Sequence, residues 1–200
     1  MRKLLVLLFG MMLSSFAHAA TVSIEFVGPG TSVPYHGVHA GYYIANVNGT
    51  PTAVMCDDFT NVIHAGDTWQ ANTFTYTDVL GGAGTKFSGI TKYAQVGWLY
   101  SQTSAASPSV RAQIQGAVWN IMTPGSVAMD SLAQWYHDQA TSGYYDNFNW
   151  SNIMVVLTPN PHNTGQEFLV PVPLPASVFL FGSGMFGLVG FARHKRHKMK

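Results

Sequence analysis

The sequence predicts an α+β protein. One β-rich ectodomain, sandwich- or barrel-like with a helical middle, is bracketed by a signal peptide and one C-terminal transmembrane helix. Three observations lead there. Apolar residues alternate with polar ones near the start of the domain, which is the period of a strand with one buried face. From Ile90 onward they recur every three and four residues, the period of an amphipathic helix. Uncharged apolar runs stand at both ends of the 200-residue chain, each flanked by Lys and Arg.

The elements follow in order. Thr21 to Val27 alternates Val22, Ile24 and Phe26 with polar partners, and Gly28-Pro29-Gly30 ends it. Tyr42 to Val47 reads as a strand, Asn48-Gly49 as a hairpin turn, and Thr52 to Phe59 as its partner. Trp69 to Tyr76 is another strand, followed by a flexible loop at Gly81-Gly82-Ala83-Gly84. Ile90, Tyr93, Ala94, Gly97 and Trp98 have helical spacing. So do Val110, Ile114, Ala117, Val118 and Ile121, behind Ser107 as N-cap and Pro108 at the first helical position. A third helix runs from Ser126 to about Ala140, with Met129, Leu132, Ala133 and Tyr136 on one face. Ile153 to Leu157 and Glu167 to Val170 read as closing strands, with a turn at Thr158-Pro159-Asn160-Pro161. No internal repeat is visible.

The chain ends account for most of its basic residues. Met1-Arg2-Lys3, the apolar stretch Leu4 to Phe16 and the small-x-small site Ala17-His18-Ala19 make residues 1–19 a secretory signal peptide, read by the Sec export machinery. Between Ala20 and Pro175 only Lys86, Lys92 and Arg111 face nine acids, a formal charge of −6 (three minus nine). An acidic domain with three cations lacks the electrostatic footprint of a nucleic-acid binder, so no nucleic acid is expected as a partner. Residues 20–170 suffice for one compact core. A single cysteine, Cys56, excludes an internal disulfide framework in an oxidising compartment.

Residues 171–200 form a tripartite tail. Val172-Pro173-Leu174-Pro175-Ala176 precedes an uncharged run over 176–192, long enough as a helix to reach across a bilayer core of about 30 Å at its short limit. Residues 193–200 then carry Arg193, Lys195, Arg196 and Lys198 and no acid, which holds them on the cytoplasmic side. This resembles the PEP-CTERM sorting tail of Gram-negative bacteria: Val172, Pro173, Pro175 and Ala176 match its motif, with Leu174 where Glu is usual. Phe181-Gly182-Ser183-Gly184 and Gly187-Leu188-Val189-Gly190 match its helix. The resemblance implies recognition by an exosortase, transient anchoring in the inner membrane with the C-terminus cytoplasmic, and then a place at the cell surface or in an extracellular matrix. Such proteins accompany exopolysaccharide and biofilm production.

A second resemblance lies inside the domain. Met55-Cys56-Asp57-Asp58-Phe59 and Ile114-Gln115-Gly116-Ala117-Val118-Trp119 resemble the Cys-Gln thioester domains of bacterial surface adhesins. The matching positions are Cys56, Asp58, Gln115, Ala117 and Trp119; Ile114 stands where Thr is usual and Met55 where an aromatic is common. The resemblance implies that the Cys56 thiolate attacks the Gln115 side-chain amide and expels ammonia. The resulting internal thioester is shielded by aromatics such as Trp98 and Trp119. A surface amine or hydroxyl on a partner would then open it and become covalently attached. No cofactor is implied. The plain alternative makes Cys56 a small buried hydrophobe, and Gln115 and Trp119 helix packing, in a non-covalent structural or polysaccharide-binding matrix protein.

Other chemistries have less behind them. His36 and His39 with Asp57 and Asp58 are metal-ligating types, but they fall in a Gly-rich stretch without a regular frame, so no metal site is expected. His64 is the histidine nearest Cys56 in sequence, yet no Cys-His protease signature surrounds the pair. Glu25, Asp67, Asp78, Asp130 and Asp138 are scattered, without a glycosidase-like pair. With no catalytic residues assembled, the chain does not read as an enzyme.

Overall fold

The computed structural model describes residues 20–172. The expected signal peptide over 1–19 lies outside them, as do Pro173, Pro175, Ala176, the 176–192 run and the basic residues Arg193, Lys195, Arg196 and Lys198. Among the described residues, no helix is long and apolar enough to cross a membrane.

Among the described residues, eight strands and four helices form in the order β1 (Thr21–Gly28), β2 (Val33–Tyr35), β3 (Val38–Ala40), β4 (Tyr43–Val47), β5 (Thr50–Cys56), β6 (Thr68–Phe74), α1 (Tyr76–Leu80), α2 (Ile90–Ser101), α3 (Pro108–Met122), α4 (Ser131–Ala140), β7 (Met154–Pro159) and β8 (Phe168–Pro171). Six strands close into an antiparallel barrel in the order β1-β4-β5-β8-β7-β6, and β2 and β3 form a separate hairpin. Closure leaves no unpaired sheet edge in the barrel. The expected α+β class and barrel-like shape are both present.

Two kinds of strand build the barrel, and their sequences differ for a physical reason. In β1, Ile24 and Phe26 point into the barrel while Ser23 and Glu25 face solvent, hence the clean alternation. In β7 every residue is buried. Val155 and Leu157 fill the barrel, while Met154 and Val156 join the core beneath α2 and α3. The β5 and β8 strands divide likewise, with Cys56 and Phe168 inside and Met55 and Leu169 under the helices. The helices thus cover one side of the barrel and make a second core there. Gly97 on α2 permits this contact, because a Cβ would lie 2.6 Å from Cβ of the buried Trp150.

Local signals account for most element ends. The Asn48-Gly49 turn joins β4 to β5 with both residues at positive φ, as a two-residue hairpin requires. Ser107 Oγ accepts the Val110 N–H at 3.4 Å, and Pro108 opens α3.

Several expectations are corrected. The strand read as Thr52 to Phe59 ends at Cys56, so Asp57, Asp58 and Phe59 leave the sheet. The one read to Tyr76 ends at Phe74, because Thr75 and Asp78 cap each other reciprocally and start α1. The third helix begins at Ser131 rather than Ser126, and Leu132 on it is exposed. Thr158 and Pro159 belong to β7 rather than to a turn. The stretch around His36 and His39 is the β2–β3 hairpin, with His36 and Gly37 at positive φ in its turn.

Candidate functional site

Cys56 is the last residue of β5, and its side chain faces the barrel interior, 1% exposed. Gln115 lies mid-way along α3 and is fully buried. The fold brings them together across 59 positions of sequence: Gln115 Nε2 donates to the Cys56 carbonyl oxygen at 2.8 Å. The other end of the same carboxamide is also held, since Gln115 Oε1 accepts the Gly41 N–H in a short hydrogen bond. The Tyr43 hydroxyl, which donates to the His39 carbonyl oxygen, stands within reach of both partners. Burial, above all, pushes the pKa of that hydroxyl up.

Two glycines set this geometry. Gly41 sits at φ +120°, where a Cβ would lie 3.2 Å from Ser32 Cα. Only glycine comfortably takes that φ and delivers its N–H to Gln115. Gly116, the neighbour of Gln115, lets the β2–β3 hairpin lie on α3: a Cβ there would meet the Tyr35 ring and hydroxyl at 2.6–2.9 Å.

The thiol is held in its neutral form. Burial pushes the Cys56 pKa well up, and the neighbouring carboxyl groups add to the rise. Its S–H donates to the Asp58 carbonyl oxygen at 2.9 Å. Trp119, one helical turn after Gln115, is 3% exposed and packs edge-on against Phe59 at 5.0 Å. Its indole N–H makes no hydrogen bond among the described residues. Ala117 faces the opposite way, into the core between the helices and the barrel. A groove of about 650 Å³ opens over this end of the barrel, lined by Phe26, Val38, Tyr43, Phe59, Val62 and Trp119.

Beside the thiol lies an acid cluster that the sequence reading missed. Asp57, Asp58 and Glu167 are each fully buried. Glu167, just before β8, accepts from the Tyr93 hydroxyl at 2.5 Å, from the Lys86 N–H at 3.0 Å and from Thr158 Oγ1. Neither carboxyl oxygen of Asp57 has a donor among the described residues. Asp57 instead lies against Glu167, and burial together with the Glu167 charge raises its pKa well above the carboxylate range. Glu167 is raised as well, again chiefly by burial. Two carboxylates in contact cannot both ionise cheaply, so the pair holds one proton. It resides on Asp57, because Glu167 has three donors and Asp57 has none. The only sequence signal was a single acid in the apolar closing run Glu167 to Val170.

The remaining candidates are not brought together. His36 Nε2 pairs with Asp130 at 2.9 Å, and His39 Nδ1 lies 3.4 Å from Ser32 Oγ. Asp58 is committed to Lys86. Among the described residues, no group of three or more His, Cys, Asp and Glu is set to hold a metal ion. The His64 side chain is 81% exposed beside Asp67, whereas Cys56 is buried. No family model, no curated protein and no solved structure matched this chain.

Proposed function

We propose that this chain is an exported, exosortase-processed surface or extracellular-matrix protein whose barrel forms an internal thioester between Cys56 and Gln115, used to attach covalently to a partner. The observation that carries the reading is the buried Gln115 carboxamide, gripped at both ends, one of them by the backbone carbonyl of Cys56 itself. Sulfur attack on Gln115 Cδ places negative charge on Oε1, where the Gly41 N–H already points. A donor fixed in advance at a developing oxyanion is the commonest large contribution to such a step. The amide nitrogen, bonded to the Cys56 carbonyl, takes up the thiol proton and leaves as ammonia. Trp119 and Phe59 screen the product from water, and the groove above them is the path for an incoming amine or hydroxyl.

The sorting reading rests on the residues of the tail and of the N-terminal run, and the ends of the barrel suit it. A cut after Ala19 leaves β1 whole from Thr21, and β8 closes at Pro171, next to Val172 of the motif. Export through the Sec machinery, transient residence in the inner membrane and release to the surface complete this proposal.

Intact mass of the purified protein tests the thioester. The expected wild-type mass is short by one ammonia, and Cys56→Ala and Gln115→Ala each abolish that deficit. A wild type without the deficit, its thiol freely titratable after denaturation, refutes the thioester. A second reading then leads, a non-covalent polysaccharide-binding matrix protein, which the exposed aromatics Trp135 and Tyr144 favour. That reading expects binding to exopolysaccharide that survives Gln115→Ala and is lost in Trp135→Ala.

A further inference from the structure

A second pair of groups, next to the thiol but separate from it, is arranged for condensation. Lys86 reaches in from the loop after α1. Its side chain is 13% exposed, and its Nζ touches Oδ2 of the wholly buried Asp58. The other two cations of the domain are engaged elsewhere, Lys92 on the Met122 carbonyl and Arg111 on the Thr103 carbonyl. The far oxygen of the same carboxyl, Asp58 Oδ1, accepts the Thr60 N–H at 2.9 Å and the Thr60 hydroxyl at 2.6 Å. The nucleophile thus meets one oxygen while two donors hold the other. Asp57 is the chain neighbour of Asp58, and Glu167, which it faces, is bonded to the backbone N–H of Lys86.

We propose that Lys86 and Asp58 condense to an intramolecular isopeptide bond, an amide between Nζ and Cγ. Within the ion pair the ammonium passes a proton to the carboxylate, giving amine and acid. The Nζ lone pair attacks Cγ, and Oδ1 takes the negative charge against the two Thr60 donors. The surplus Nζ proton passes directly to Oδ2, which Nζ already touches. The Cγ–Oδ2 bond breaks and one water leaves, so an ammonium and a carboxylate become an amide plus water with no oxidant or cofactor. The product ties the end of β5 to the loop after α1 across 28 positions of sequence. It gives an exported domain with one cysteine the cross-link that a disulfide cannot supply.

The test uses the full chain, expressed with export, purified, denatured and digested with trypsin. The expected fragment runs uncut past Lys86 to Lys92 and is short by one water. Lys86→Arg keeps a cation on Asp58 and should leave a folded protein at full mass, cut at position 86. Asp58→Asn, placed in the Gln115→Ala background, should form the same amide but lose ammonia instead of water. The two deficits differ in kind, one water against one ammonia, and only the thioester joins the Cys56 fragment to the fragment carrying Gln115, so the two proposals fail independently. A wild type cut quantitatively at Lys86 overturns the isopeptide. So does a missing water with Lys86 still cut, which marks a succinimide at an aspartate instead.

Discussion

Replacing Gln115 by Ala in a Cys56→Ala background isolates the grip on the carboxamide from any thioester, because the Cys56 carbonyl and the Gly41 N–H both remain. The substitution orphans two backbone groups in a fully buried site. Each orphaned group costs about 1–3 kcal/mol, so the pair should cost about 2–6 kcal/mol. Gln113→Ala on the same helix is the control. Its amide bonds Asp130 at 2.8 Å near the surface, where water can replace the bond and screens the charge. Urea unfolding followed by tryptophan fluorescence reads both. With a slope of about 1–3 kcal/mol per molar for a domain of this size, the Gln115 variant should lose at least about 0.7 M in midpoint, and clearly more than Gln113→Ala. Equal midpoints for the two variants would refute the claim that Gln115 is held at both ends, and with it the oxyanion role of Gly41.

Three further outcomes are expected. Asp57 is protonated in the fold and ionised in the unfolded chain near neutral pH, so the native state binds the extra proton. Its contribution is therefore complete below the ordinary carboxylate value of about 4 and is lost as pH rises towards the raised native value. Urea midpoints measured against pH should fall across that range, and Asp57→Asn should remove the slope. Gly165→Ala drives a methyl to 2.4–2.7 Å from the buried Trp69 ring. It should cost about 1–3 kcal/mol in the same unfolding assay, with the Trp69 fluorescence altered in the native state. Trp119→Ala should cost about 3–5 kcal/mol. It should also shorten the thioester lifetime, read by mass as conversion of position 115 to glutamate with a free thiol.

Elements whose identity is written locally were legible. Thr21 to Val27 alternates because one face of β1 meets water. Asn48-Gly49 makes the one turn that a two-residue hairpin needs. Ser107 and Pro108 mark the start of α3 by satisfying or lacking the first free N–H groups. The β2–β3 hairpin escaped notice because each strand has three residues, too few to display a period of two. Its turn also uses His36 where Asn or Gly would have signalled it. The start of α4 was misplaced because Met129 and Val127 continue the apolar spacing while packing from a loop.

The site divides along the same line. Sequence by itself determined that Cys56 is alone, that Gln115 sits on a helix, that the domain is acidic, and that charged and apolar blocks stand at its two ends. These are properties of composition and near-neighbour spacing. Only the tertiary structure decided that α3 lies against the end of β5, so that Gln115 bonds the Cys56 carbonyl. It also decided that a glycine in the β3–β4 connection donates to the same amide, and that Lys86, Asp58, Asp57 and Glu167 converge from three distant segments. Barrel closure and the packing of helices on one of its faces fix those meetings. Both depend on non-local contacts whose partners leave no periodic trace in the chain.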